Sequence, residues 1–272
     1  MRSTAVRRTA LAASAAALAL LATACGGSDD GDKAKGGDST KAAADATAPA
    51  EATASAPAAG AAKALTAAEL EKAALTQADA KSGKITVKLT ADDDVSQDKV
   101  SVDKPACAPL AYLQAGTFVG KPAASVKRKW EDDPKKPAAG ADEEAKMYAS
   151  LNAVESVITL ASYDNGGAEQ AMKDLSAAVK NCAGGYSHTE NSDSIKVTKV
   201  TTGEAPKGGD EALAVNLSIN FGEGVTGTTK LVVVREGATL VYFPTVNVGA
   251  FLTGEDYAFP TAMLDVQLAK LG

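Results

Sequence analysis

The sequence predicts an α+β domain in which an antiparallel sheet of about five to seven strands packs against helices. Segments 195–200, 212–221, 228–235 and 239–246 alternate apolar and polar residues and follow one another through short links. Helical patterns sit before, between and after the strand segments. No succession of strand–helix–strand units is present, which disfavours a doubly wound nucleotide-binding fold.

The elements follow in order. Thr66 and Glu69 have capping-box spacing, and Leu70, Ala74 and Ala78 lie along one side of a helix expected over 67–81, stopped by Gly83. Residues 84–89 alternate and predict a strand. Asp92, Asp93 and Asp94 form an exposed turn, and Val100 and Val102 a short edge strand ended by Pro105. Pro109, Leu110, Tyr112 and Leu113 suggest a helical turn or two. A strand is expected over 123–130, wetted by Lys127, Arg128 and Lys129, and a Pro- and Gly-broken loop over 131–141. Residues 147–162 have helical spacing but a β-branched centre, so a strand over 153–161 is favoured. Gly166-Gly167 opens an amphipathic helix to Asn181 with Ala168, Ala171, Met172, Leu175 and Val179 on its apolar stripe. After the four alternating segments, with a tight hairpin at Glu236-Gly237-Ala238, a helix over 257–271 closes the chain.

Composition bounds the function. Of 272 residues, 28 are Lys or Arg and 34 Asp or Glu, which excludes a basic nucleic-acid binder. One His and three Cys leave no metal site of the usual zinc types and no cofactor motif. Residues 65–272 carry every aromatic side chain and 21 basic against 28 acidic groups, and are read as a single domain.

The first 64 residues read differently. Arg2, Arg7 and Arg8 precede an uncharged run from Ala10 to Ala24. Such a run makes about 22 Å of helix, too short to span a bilayer, so residues 1–24 are expected to be a cleaved export signal. Arg7-Arg8 leaves both the general and the twin-arginine route open. The sequence Leu21-Ala22-Thr23-Ala24-Cys25-Gly26 resembles the lipobox of bacterial lipoproteins, with Ala22 where Leu is usual. That resemblance implies an acylated N-terminal Cys25, a membrane-anchored chain and a location on the extracytoplasmic face of the cell membrane. Residues 25–64, rich in Ala, Gly, Ser and Thr and broken by Pro49 and Pro57, then form a tether of roughly 35 Å root-mean-square span.

With Cys25 acylated, Cys107 and Cys182 remain in an oxidising compartment. A disulfide between them is the favoured reading, and two buried free thiols the alternative.

The two cysteines, the alternating block and the final Gln267-Leu268-Ala269-Lys270-Leu271 resemble the extracellular sensor domain of mycobacterial receptor serine/threonine kinases, which also occurs in stand-alone actinobacterial lipoproteins. The resemblance covers 65–272. It implies an antiparallel sheet with helices around a cleft that takes an extracellular ligand; those domains carry two disulfides, whereas this chain has cysteines for one. The opening helix and the strand over 84–89 also resemble mycobacterial lipoproteins that carry acylated glycolipids in an apolar cavity.

The candidate chemistry is sparse. His188, in a polar stretch after Cys182, is expected to be an exposed loop residue, and Ser187 lacks the glycine of a nucleophile elbow at Thr189. Asp92, Asp93, Asp94 and Asp98 lack the calcium-loop pattern and are read as a solvated turn. Lys127-Arg128-Lys129 beside Trp130 is either the wet face of a strand or a place for an anionic sugar or headgroup. Tyr242, Phe243, Phe251, Tyr257 and Phe259 crowd into one stretch; rings there either close the bottom of the core, the favoured reading for any one of them, or, with Trp130, line a candidate ligand cleft. The expectation is therefore a non-enzymatic, lipid-anchored domain that binds or senses a small molecule, glycan or lipid, with an envelope protein as a further candidate partner. A lipid or glycolipid carrier is the alternative.

Overall fold

The computed structural model describes residues 62–220, 222 and 225–272. The expected signal 1–24, the expected acylation at Cys25, most of the expected tether and Phe221 lie outside the described residues.

Six α-helices are described: α1 (Ala67–Ala73), α2 (Ala108–Gln114), α3 (Glu143–Leu151), α4 (Gly167–Asn181), α5 (Val248–Thr253) and α6 (Thr261–Ala269). The strands are β1 (Lys84–Thr86), β2 (Val100–Val102), β3 (Ala124–Glu131), β4 (Glu155–Ser162), β5 (Tyr186–Glu190), β6 (Asp193–Thr202), β7 (Glu211–Asn220), β8 (Thr226–Glu236) and β9 (Thr239–Thr245). They form one sheet of nine strands in the order β1-β3-β4-β9-β8-β7-β6-β5-β2. Every pairing is antiparallel. The α+β class and the antiparallel sheet match the sequence reading. The strand count exceeds the expected five to seven.

Both exposed rims are blunted in one way. The edge strands β1 and β2 are each three residues long, too short to template pairing with another chain.

Helices cover the sheet on both sides rather than on a single dry face. On one side Leu110 and Leu113 of α2 and Met172 and Leu175 of α4 pack with Leu217, Leu231, Val233, Leu240 and Tyr242. On the other, Leu70 of α1 and Met263 and Leu264 of α6 pack with Ile158, Leu160, Val232, Val234, Val241 and Phe243. All seven residues of β9 are buried, because successive side chains enter opposite cores. The Cys107–Cys182 disulfide is formed, with Cα atoms 5.9 Å apart, and ties the start of α2 to the end of α4.

Several elements differ from their expected extents. The capping box at Thr66 and Glu69 is present, but α1 ends at Ala73, and a 3-10 turn at Gln77–Asp79 replaces the rest of the expected 67–81 helix. Gln267 of α6 explains that stop: its amide donates to Ala73 O at 2.8 Å and its Oε1 accepts from Leu75 N at 3.2 Å, capturing backbone groups that a longer helix would use. The strand expected over 84–89 lasts three residues, and Val87 is exposed. Residues 147–162 divide into the end of α3 and all of β4. The last helix begins at Thr261, not at 257, because Tyr257 is held in the preceding loop by Thr245 and Lys230.

Candidate functional site: a groove at one end of the sheet

Strands β3, β4, β5, β6, β7, β8 and β9 all present a terminus at the same end of the sheet, so residues distant in sequence converge there. Lys129, Glu155, Val157, Pro244, Thr245, Thr229 and Glu190 line a recess of about 160 Å³ that carries charged side chains, bounded by Gln114, Ala115 and Gly116 at the end of α2 and by Asp92 and Asp93. An adjoining trough of about 680 Å³ is lined by Ile195, Ile219, Val225, Val246, Val248, Phe251 and Leu252. Gln114, Glu190, Thr229 and Val246 line both, making one groove with a charged end and an apolar end. The trough has the size of a small-molecule pocket, within the roughly 300–1,000 Å³ such sites occupy.

Local sequence fixes each wall. Asn247 caps α5 by accepting from Ala250 N at 2.9 Å, and the next residues place Val248, Phe251 and Leu252 along the trough. Val248 is 41% exposed and Leu252 47%, so the trough has an unsatisfied apolar lip. Gly227, at the start of β8, lets the Phe251 ring lie against its backbone; a Cβ there would fall 2.2 Å from the ring. At the charged end, the Thr159 hydroxyl donates to Gly116 O at 2.7 Å and anchors the chain that leaves α2.

The charges in the recess do not balance. Lys129 is its one cation among the lining residues and lies 3.1 Å from Asp93, 3.6 Å from Glu155 and 3.8 Å from Glu131. Burial disfavours its charge, but the hydrogen bond to Asp93 and the fields of the three carboxylates outweigh that and raise its pKa. Among the described residues Glu190 has neither a side-chain hydrogen bond nor an ion pair. Burial pushes its carboxyl pKa up, Asp193 adds to the rise, and Lys127 opposes it. The Gln114 Oε1 is buried without a partner among the same residues.

The sequence-predicted candidates divide among several places. Tyr242 and Phe243 are fully buried on opposite faces of the sheet. The Tyr242 hydroxyl lies 2.6 Å from that of Tyr163 and accepts from Val119 N at 3.2 Å. Trp130 is buried with Phe243, against which Phe259 packs edge-on at 5.2 Å between ring centroids. The Tyr257 hydroxyl donates to Thr245 O at 2.7 Å, and the Lys230 ammonium lies 5.1 Å from its ring centroid. Of the six candidates, Phe251 alone lines the groove.

His188 is not an exposed loop residue. It lies in β5, only 2% exposed, between Val102 of β2 and Ile195 of β6, and neither ring nitrogen has a hydrogen-bond partner among the described residues. Burial holds its pKa down at about 4 despite the opposing field of Asp103. Ser187, its neighbour on a strand, points to the opposite face, so the two do not form a nucleophile–base pair.

The basic trio is committed internally. Lys127 meets Asp94 at 3.1 Å, and buried Arg128 donates to Leu75 O at 3.0 Å and to Glu71 at 2.5 Å. Asp93 and Asp94 are thereby paired with lysines. Among the described residues no group of three or more His, Cys, Asp or Glu side chains is disposed to hold a metal ion. Among the same residues no helix is long and apolar enough to cross a membrane.

The residues of the groove that sequence reading missed are Gln114, Glu155, Glu190, Thr229, Val246, Val248 and Leu252. A usable signal was present for two of them: Val248 and Leu252 are apolar, four apart, and follow a capping Asn.

The chain matches no protein-family model and no curated protein. Among solved structures it is similar to the extracellular domain of PknH from Mycobacterium tuberculosis, with 14% sequence identity, coverage of 77% of this chain and 95% of that chain, and a TM-score of 0.44.

Proposed function

We propose that this protein is an extracytoplasmic, non-catalytic binding domain, held at the membrane through Cys25, whose ligand occupies the groove at the end of the sheet. The observation that carries the reading is the division of the groove: an apolar trough with an exposed lip runs into a recess with an unpaired carboxylate and a buried, unpartnered amide oxygen. Such a surface is costly to leave bare and complementary to an amphipathic small molecule. The disulfide supports an oxidising location, since such bonds persist outside the cytoplasm. The separation of Ser187 from His188 and the internal pairing of the acidic turn support binding rather than catalysis.

A lipid or glycolipid carrier is the second reading, favoured by the apolar lining of the trough. Native mass spectrometry of the full-length protein, gently extracted from its membrane, separates the two. The binding reading expects a small amphipathic adduct that is lost on Leu252→Ser plus Phe251→Ser; the carrier reading expects a long-chain lipid. Protein that emerges bare, and binds nothing when returned to the extract, contradicts both.

A further inference from the structure

Resting on the assignment of the groove as the binding site, the geometry points to its ligand class: a protonated primary amine on an apolar body, the ammonium at Glu190 and Gln114 and the body in the trough. Three observations on different elements lead there.

The recess is rich in acceptors and acids. Lys129 is already shared among Asp93, Glu131 and Glu155 at 3.1–3.8 Å, so it has no free valence for a ligand anion. Glu190 and Asp92 stand beside this cluster without an ion pair among the described residues; the field of Lys127 reaches Glu190, but that lysine is paired with Asp94, which leaves the recess with surplus negative charge. A carboxylate partly withdrawn from water is destabilised unless a cation or donors approach it.

Glu190 sits where the two halves of the groove meet, and Gln114 and Thr229 share that junction. The buried Gln114 Oε1 adds an unmatched acceptor there. An ammonium group carries three donors and no acceptor, which suits a carboxylate and an amide oxygen together. An incoming carboxylate or phosphate would face Asp92, Asp93, Glu155 and Glu190 and an already committed lysine, with only neutral donors such as Ser156 and Thr229 to offset the repulsion.

From the junction the trough leads away without a further charged side chain among the described residues that line it, walled by Ile195, Ile219, Val246 and Phe251 and open at Val248 and Leu252. An alkyl chain or ring attached to the amine would follow it. The expected fit is one charged head and one short apolar body, not a disc or a polyanion.

The test uses three probes of equal length, n-octylammonium, n-octanol and n-octanoate, titrated calorimetrically into the full-length protein at pH 7. The amine is expected to bind at least tenfold more tightly than the alcohol, and the carboxylate more weakly than either. Glu190→Gln should remove the advantage of the amine over the alcohol while both still bind. Equal affinity for all three probes, or a preference for octanoate, overturns the ligand class yet leaves the groove as an apolar site. Failure of every probe to bind, in wild type as in Leu252→Ser, overturns the binding site itself. The charge series is read on the wild-type chain, so it decides the ligand class even where Glu190→Gln folds poorly.

Discussion

The ring of Phe251 rests on the backbone of Gly227, closer than any side chain at position 227 would allow. That contact joins α5 to β8 and seats Phe251, one of the residues that line the trough. Gly227→Ala would force a methyl group into space held by Phe251 Cδ1, 2.2 Å away. The variant should lose about 1–3 kcal/mol of stability, as overpacked sites do, and lose binding of the octyl probes as the ring is displaced. Denaturant unfolding and calorimetry check the two halves separately.

The disulfide closes a loop across a sequence separation of 75. Chain entropy alone assigns such a cross-link about 4 kcal/mol. Replacing Cys107 and Cys182 together by Ala should lower the thermal midpoint by roughly 10 °C for a domain of this size, read by calorimetry. A change under about 2 °C would show that the packing of α2 on α4 holds without it.

The pH dependence of stability should carry the mark of His188. Its folded pKa of about 4 lies below the ordinary value of 6.5, so its contribution is complete above about pH 6.5. As pH falls from there towards 4, the unfolded chain takes a proton that the native imidazole refuses, and stability is lost. Glu190 acts with the opposite sign: its raised pKa lets the native state bind a proton first, which favours the folded state as pH falls. Comparison with His188→Leu isolates the imidazole. Wild type should lose about 2 kcal/mol more than this variant between pH 7 and 4.5, measured by urea unfolding.

Gln267 is 1% exposed and holds two backbone groups at the end of α1. Gln267→Leu would keep the volume but strand a buried carbonyl and a buried N–H. A loss of about 2–3 kcal/mol is expected in denaturant unfolding, with hydrogen exchange quickening first at Ala74 and Leu75.

The sheet was legible where alternation was strong. Residues 195–200 fell in a strand because one buried face leaves a period-two pattern there, whereas β8 and β9, buried on both faces, were legible as apolar, β-branched and aromatic runs on either side of Gly237. Strand β5 was missed because Gly184-Gly185 read as a stop and Tyr-Ser-His-Thr-Glu read as polar; its neighbours β2 and β6 bury Tyr186 and His188, a tertiary effect absent from local sequence. Helix α3 has no buried residue and carries no apolar stripe to detect, resting on the Asp142 cap and on contacts with α5. The aromatic cluster divides for a geometrical reason: adjacent residues on a strand face opposite ways, so Tyr242 and Phe243 enter opposite cores, in line with the core reading favoured for any one ring. The groove was hidden because its residues come from the ends of seven strands, and no single stretch of chain contains more than a few of them.

The measurement that bears most directly on the groove as a binding site is amide chemical-shift mapping of the full-length protein during titration with n-octylammonium. Shifts are predicted to be confined to Gln114, Glu190, Thr229, Val246 and Phe251, with smaller ones along α5. Shifts centred elsewhere, on the exposed Val87 or on α3, with the groove amides unmoved, would contradict it.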